Sequence, residues 1–194
     1  MLARPCSGPF NARVQDIRYD VIVIGGGPAG STAGAYLAMA GKKVLVLEKE
    51  RFPRFHIGES LLPYNQSILR ELGVVDALER AGFPRKFGAQ FHLGTGKKAV
   101  KVRFRDGRFN KETQSYQVER SLFDEILLRN TEMKGAEIRE ETPVLHAEND
   151  EEEVRVSIVD PKGKTKMIRG QYLLDASGRE NFTGNRDGLR ESHP

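Results

Sequence analysis

The sequence predicts an α/β fold built on a parallel sheet with an inserted antiparallel region, and three observations predict it. A short β-branched run leads straight into a glycine triplet, a small-residue helix follows, and a second apolar strand ends on an acid. Alternating strand patterns, punctuated by Gly and Pro turns, fill the middle of the chain. A last apolar strand then stops at Asp175-Ala-Ser-Gly178 and returns the chain to the parallel sheet.

Residues 19–24, Tyr-Asp-Val-Ile-Val-Ile, are apolar on both faces, as a strand buried inside a parallel sheet must be. Gly25, Gly27 and Gly30 follow as G-x-G-x-x-G, and residues 31–40 form a helix ended by Gly41. Residues 44–47, Val-Leu-Val-Leu, are the second strand, and Glu48 stands at its end, roughly 20 residues beyond the glycines. Strand, glycine loop, helix, strand and terminal acid in register make a Rossmann-like dinucleotide site. Gly25 allows the tight turn, Gly27 lets backbone approach a pyrophosphate, and Gly30 lets helix and strand pack closely. Ala29 and Ser31 stand beside them at the helix start, where free N–H groups attract phosphate oxygens. Glu48 is placed to accept hydrogen bonds from the adenosine ribose, and its charge disfavours NADP. Gly34 extends the close-packing face by one helical turn, which favours FAD over NAD.

Beyond this unit, residues 51–60 form a loop broken by Pro53 and Gly58. Residues 61–72 and 74–81 are expected as helices ended by Gly73 and Gly82. Residues 86–95 and 99–104 are expected as a hairpin around Gly94-Thr-Gly96, with Val100, Val102 and Phe104 on a buried face and Lys101, Arg103 and Arg105 on a solvated one. Residues 116–118 read as a short strand. Ser121 is expected to cap a helix that buries Leu122, Phe123, Ile126 and Leu127 and ends near Gly135. Residues 136–147, 154–159 and 166–169 read as strands, with Pro161-Lys-Gly163 turning the last pair, and 172–174 as a buried strand. Residues 179–194 show no strand or helix pattern. The expected organisation is a leader over 1–18, the nucleotide-binding domain over 19–178 and a tail over 179–194.

With 194 residues, 38% hydrophobic and 30% charged, the chain has one domain's worth of core. No apolar run reaches the length of a membrane span, so no membrane partner is expected. A net charge of +4 is too modest to imply nucleic acid, and the basic residues 97–111 follow strand alternation instead. The single cysteine, Cys6, rules out an internal disulfide framework and fits a reducing cytoplasm. His56, His92, His146 and His193 have no metal-ligand spacing, so no metal is expected.

Further along, Phe52-Pro-Arg-Phe-His-Ile-Gly-Glu-Ser-Leu-Leu-Pro63 brings a family into view. The glycine fingerprint, this loop, Val118-Glu-Arg-Ser-Leu-Phe-Asp124 and Asp175-Ala-Ser-Gly178 resemble, in order, the p-hydroxybenzoate-hydroxylase-like flavoproteins. Within them the Gly58-Glu59-Ser60 loop most resembles flavin-dependent halogenases, over residues 19–178. The resemblance implies FAD on Gly25, Gly27, Gly30 and Glu48, with Arg51 and Arg54 placed to reach phosphates. It sets Gly58, Glu59 and Ser60 beside the flavin, makes Arg120 an FAD contact, and has Asp175 support the sheet end. Lys86 aligns with the lysine that halogenases use beside the substrate, where reduced flavin, oxygen and halide yield hypohalous acid. A compact ammonium suits hydrogen-bonding or capturing that species near an electron-rich carbon. The implied partners are a small-molecule substrate and a separate flavin reductase.

Two features of the family have no counterpart here: a downstream Gly-Asp flavin segment and a Trp-x-Trp-x-Ile-Pro motif, the chain having no tryptophan. The expectation is a front portion of a longer flavoprotein, with a sheet incomplete at its C-terminal end and not fully active alone. The alternatives are a geranylgeranyl-reductase-like flavoprotein, weakened by Ile57-Gly58 where a cysteine-glycine pair is usual, and a non-catalytic FAD-binding remnant needing a C-terminal partner chain.

Overall fold

Val21, Ile22, Val23 and Ile24 are all buried because β1 (Arg18–Ile24) runs through the middle of a sheet packed on both faces. The structure, a computed structural model, describes residues 18–92, 94, 96, 99–107, 111–150 and 152–189. The expected leader and Cys6 therefore lie outside the described residues, apart from Arg18, as do parts of the 93–98 turn and the last five residues.

Helix α1 (Pro28–Met39) follows β1 and begins three residues earlier than the sequence reading, because Pro28 is preset for a first helical turn. It leads to β2 (Val44–Leu47), which pairs with β1 in parallel. Helices α2 (Asn65–Leu72) and α3 (Val75–Arg80) come next. The expected helix over 61–72 loses its first turn: Pro63 disfavours helical backbone at Leu62, and residues 63–64 form a turn before the helix starts. β3 (Arg85–Lys86) pairs with β6 (Ser115–Tyr116), and β4 (Gly88–His92) with β5 (Ala99–Arg103), both antiparallel. The predicted strand over 86–95 is thus two strands in two sheets. Gly88 marks the break, where a Cβ would come within 2.3 Å of the Val102 carbonyl oxygen.

Helix α4 (Arg120–Met133) starts after an extended Glu119, one residue before the expected cap at Ser121. It buries Phe123 and Leu127 as predicted and Leu128 besides, half-buries Ile126, and leaves Leu122 exposed. The predicted strand over 136–147 is also divided. β7 (Glu137–Arg139) and β8 (Val144–Asn149) lie on opposite edges of the main sheet, whose order is β7-β2-β1-β10-β9-β8. Pro143 and the left-handed Glu141 (φ 52°) stop the strand, and residues 140–143 cross the sheet end. β9 (Val154–Val159) and β10 (Thr165–Asp175) complete it. The two strands expected over 166–174 are one long β10, antiparallel to β9 in its first half and parallel to β1 in its second. Past it, where no helix pattern was read, α5 (Phe182–Arg186) forms a short helix.

Alternation along β2 divides the core. Leu45 and Leu47 join Ile22, Val156 and Ile158, while Val44 and Val46 join Val21, Val23 and Leu128 of α4. A third cluster sets Leu69, Leu78, Phe123 and Leu127 between the helices. One sequence expectation is reversed by the β4–β5 pair: Val100 and Val102, read as a buried face, are 54% and 47% exposed.

Candidate cofactor and active site

The glycine loop sits at the C-terminal ends of β1 and β2, and its three fingerprint glycines are required for different reasons. Gly25 has φ +100°, and a Cβ there would come within 2.5 Å of the Ala176 carbonyl oxygen. A Cβ on Gly30 would lie 1.9 Å from the Gly25 carbonyl oxygen, so helix and loop can meet only at a glycine. Gly27 is extended, with φ −67° and ψ −176°, and a Cβ there would find no atom nearer than Arg54 Nη2 at 3.5 Å. The protein's own packing does not demand a glycine at 27. Close approach of a ligand to the backbone does, and this vacancy fits a pyrophosphate.

Glu48 holds this loop in place. Its Oε2 accepts a hydrogen bond from Gly26 N at 2.7 Å and its Oε1 one from Glu50 N at 2.9 Å. Each carboxylate oxygen keeps a lone pair for a ribose hydroxyl. Ser31 is buried behind the loop, where its Oγ donates to the Gly26 carbonyl at 2.8 Å and Thr131 Oγ1 donates to its own carbonyl at 2.7 Å. Ser31 therefore shapes the cradle from behind.

In front of the loop opens a cleft of about 790 Å3, lined among others by Gly25, Gly27, Ala29, Glu48, Arg54 and Arg120. Arg51, the other loop arginine, is exposed and stands outside the lining. Thr142 and Pro143, from the crossing segment, and Phe182 of α5 also face the cleft, and nothing in their sequence pattern announced them. Arg120 donates to both oxygens of fully buried Asp124, at 2.7 and 2.9 Å, across one turn of α4. It also donates to the carbonyl of Ile57 at 2.6 Å. Arg54 Nη1 lies 3.5 Å from the same Asp124 carboxylate, its Nε lies 3.1 Å from Glu50, and its guanidinium stacks on Phe52. Nε and Nη1 of Arg54 are buried against these carboxylates without a well-formed hydrogen bond, and Nη2 is the guanidinium nitrogen nearest Gly27, in the cleft lining. Asp124, which orients both arginines, was missed in the sequence, although its i,i+4 spacing from Arg120 was the signal to use.

The Gly58-Glu59-Ser60 segment is exposed beyond the lining, and of that loop Arg54, Phe55, His56 and Ile57 face the cleft. Gly58 has φ +103°, and a Cβ there would come within 3.1 Å of Arg120 Nη1. Ser60 then bridges to Gln117, and its hydroxyl accepts a hydrogen bond from Lys86 Nζ at 2.5 Å. The half-buried Lys86 also sits 5.2 Å above the Phe104 ring. The structure thus brings the loop, Arg120 and Lys86 together in series. Asp175 lies at the end of β10 and accepts from Ser177 N at 2.9 Å, Thr183 N at 2.7 Å and Thr183 Oγ1 at 2.7 Å. Burial works against its charge, but these hydrogen bonds prevail and hold the carboxyl below its ordinary value. It fixes the turn beside the cleft. Among the described residues no group of His, Cys, Asp and Glu could hold a metal, and no helix is long and apolar enough to cross a membrane.

Comparison with known proteins matches this geometry. Residues 18–192 match the family described as an FAD binding domain. A 1H-pyrrole-2-carbonyl-(peptidyl-carrier protein) chlorinase of Pseudomonas fluorescens is 39% identical, over 93% of this chain and 44% of that protein. A flavoprotein/dehydrogenase from Cytophaga hutchinsonii superposes with a TM-score of 0.83 at 35% identity, covering 89% of this chain and 42% of that one. The myxobacterial chondrochloren halogenase, described as a variant of FAD-dependent halogenases, superposes with a TM-score of 0.77 at 42% identity, covering 82% and 37%. The chain spans less than half the length of each. Its cofactor is FAD, and the chain belongs to the FAD-binding domain family.

Proposed function

We propose that this chain is the FAD-holding portion of a halogenase that acts on an electron-rich small molecule such as a phenol or pyrrole. The observation that carries the reading is the open space in front of Gly27, where a Cβ would meet only Arg54 Nη2 at 3.5 Å, in a cleft that Glu48 also lines. Gly25, Gly27, Ala29 and Gly30 form the wall of the pyrophosphate site, with the N-terminus of α1 and Arg54 supplying positive charge. Glu48 accepts from the adenosine ribose. Arg120 holds the Ile57 and Gly58 carbonyls at the flavin end. Bound and reduced, FAD supplies together with dioxygen the oxidising equivalents that convert halide to hypohalous acid. Lys86 Nζ, tied to Ser60 beside that end, presents a point charge with three donors to hold the electrophile against the substrate.

The pyrrole-carbonyl group in the name of the Pseudomonas relative supports an electron-rich heteroaromatic substrate. Reduced flavin would come from a separate reductase, and the remaining length of a halogenase from further polypeptide, in a reducing cytoplasm. Ultrafiltration with FAD and NAD in parallel tests the cofactor site: FAD is retained, and preferential retention of NAD would overturn the assignment. Joined to the rest of a halogenase, the protein should chlorinate or brominate a phenol or pyrrole. Lys86→Ala and Lys86→Arg should both abolish product while FAD stays bound, because a planar guanidinium cannot replace a compact ammonium. Wild-type halogenation by Lys86→Ala would remove the lysine from the mechanism.

A further inference from the structure

β3 is two residues long and pairs with the equally short β6, Arg85 opposite Tyr116 and Lys86 opposite Ser115. Residues opposite each other share a face, and successive residues alternate. Arg85 and Tyr116 therefore lie on one side of the pair, Lys86 and Ser115 on the other. So short a pair is marginal by itself. Its backbone bonds do not choose the side either, because a slip by one residue makes new ones and sends Lys86 to the opposite face. Side chains must hold it.

On the Arg85 side lies Glu79 of α3. Its Oε2 accepts from Arg85 Nη2 at 2.9 Å, and its Oε1 accepts from the hydroxyl of Tyr116. One carboxylate thus grips both strands, through two residues that face each other. Tyr116 is 2% exposed and packs with Leu69, Leu78 and Phe123, so that arm is anchored in the core. Burial, and after it the bond to Glu79, pushes the Tyr116 hydroxyl up to about 12, so the phenol keeps its proton to donate. The hydrogen bonds from Tyr116 and Arg85 hold Glu79 below the usual carboxylate range. Glu79 lies outside the cleft lining.

We propose that Glu79 is a positioning residue for Lys86: by gripping Arg85 and Tyr116 on one face, it keeps β3 in register and turns Lys86 to the other face, where Ser60 receives it. The use made of Lys86 rests on the halogenase reading above; its placement does not. Ser60 stands on the Lys86 side, since it bridges to Gln117, two residues beyond Ser115 on the same face. There Lys86 Nζ donates to Ser60 Oγ at 2.5 Å and to the Leu61 carbonyl at 3.4 Å. Without the grip β3 is free to slip or fray, and either takes the ammonium away from Ser60. Such a displacement matters to chemistry, because moving a reacting group by about 1 Å can cost on the order of 100-fold in rate.

The test reverses the two charges in turn. Glu79→Arg and Arg85→Glu each break the grip, and together they restore it, with the Tyr116 oxygen accepting instead of donating. In this chain the amine of Lys86, released from Ser60, should be acylated about threefold or more faster in each single variant, and at the wild-type rate in the double variant. Glu79→Gln should act in the same direction, because its amide nitrogen cannot accept from Arg85. FAD retention should stay at wild type and the melting temperature within a few degrees throughout, which separates positioning from a general loss of structure. In the completed enzyme each single variant should lower kcat for halogenation about tenfold or more with KM unchanged, reduced flavin still being oxidised, and the double variant should recover it. Single variants that label like wild type, a double variant that labels like the singles, or faster labelling that comes only with lost FAD or lost fold would each overturn the proposal. The halogenase reading fails by a different result: wild-type halogenation by Lys86→Ala removes the use of the lysine, while its placement by Glu79 is decided by the labelling.

Discussion

Gly27 and Gly30 stand three residues apart, and substitution should separate binding from folding. Gly27→Val meets only Arg54 Nη2 at 3.5 Å in an extended backbone that valine adopts freely. It should leave the melting temperature within a few degrees and abolish FAD retention in ultrafiltration, because the branched side chain fills the pyrophosphate position. Gly30→Ala places a methyl 1.9 Å from a carbonyl oxygen and should cost about 3 kcal/mol or more by urea denaturation, whatever ligand is present. Asp175 offers a third separation, by pH. Its folded carboxyl titrates below the ordinary 3.8, so its contribution to stability is whole above that value and is lost as pH falls through the lower folded one. Urea midpoints should hold steady from pH 7 toward 5 on its account and fall below pH 4, and Asp175→Asn should flatten that acid limb. The sequence already showed why Gly25, Gly27 and Gly30 are there, since a turn, a close approach and a helix contact are local demands. It did not show that Ser31 works from behind the loop, because a serine at a helix start fits either side of it.

Helix α4 carries more of the site than its sequence disclosed. Its first turn holds Arg120 and Asp124, and the fully buried carboxylate of Asp124 receives both Arg120 and the incoming Arg54. Removing one partner from such a cluster strands the other charges in a dry place. Asp124→Ala should therefore cost about 3–5 kcal/mol in denaturation and weaken FAD as well. Asp124→Asn should keep the fold better and lose FAD chiefly through misplaced arginines, read by isothermal titration. Strand boundaries were the least visible level. Residues 136–147 read as one strand, yet Glu141 at φ 52° and Pro143 send the chain from one sheet edge to the other, and Thr142 lands at the cleft. Alternation through Val100 and Val102 correctly told strand from helix. It could not tell what covers the strand, because periodicity records which side is apolar and not what lies against it.

For the whole molecule, FAD capture and halogen chemistry should be separable. With reduced flavin, bromide and a phenol, the chain alone should give hydrogen peroxide and little brominated product, since the ribbon beside Lys86 is open to water. Peroxide and product assayed together check this, and efficient bromination by the isolated chain would refute it. The main sheet carries a packed core cluster on each face within the described residues, so this chain should retain FAD by itself. The Arg120–Ile57 and Ser60–Lys86 contacts add a further constraint. Residues 57 and 60 are three peptide links apart, a span of at most about 11 Å when fully extended. This segment works as a gauge block between the two ends of the site, holding Arg120 and Lys86 a fixed, short distance apart. One extra glycine between Gly58 and Glu59 would lengthen the gauge by about 3.5 Å. In the completed enzyme that insertion should leave FAD bound and turnover of reduced flavin intact, while the ratio of halogenated product to peroxide falls.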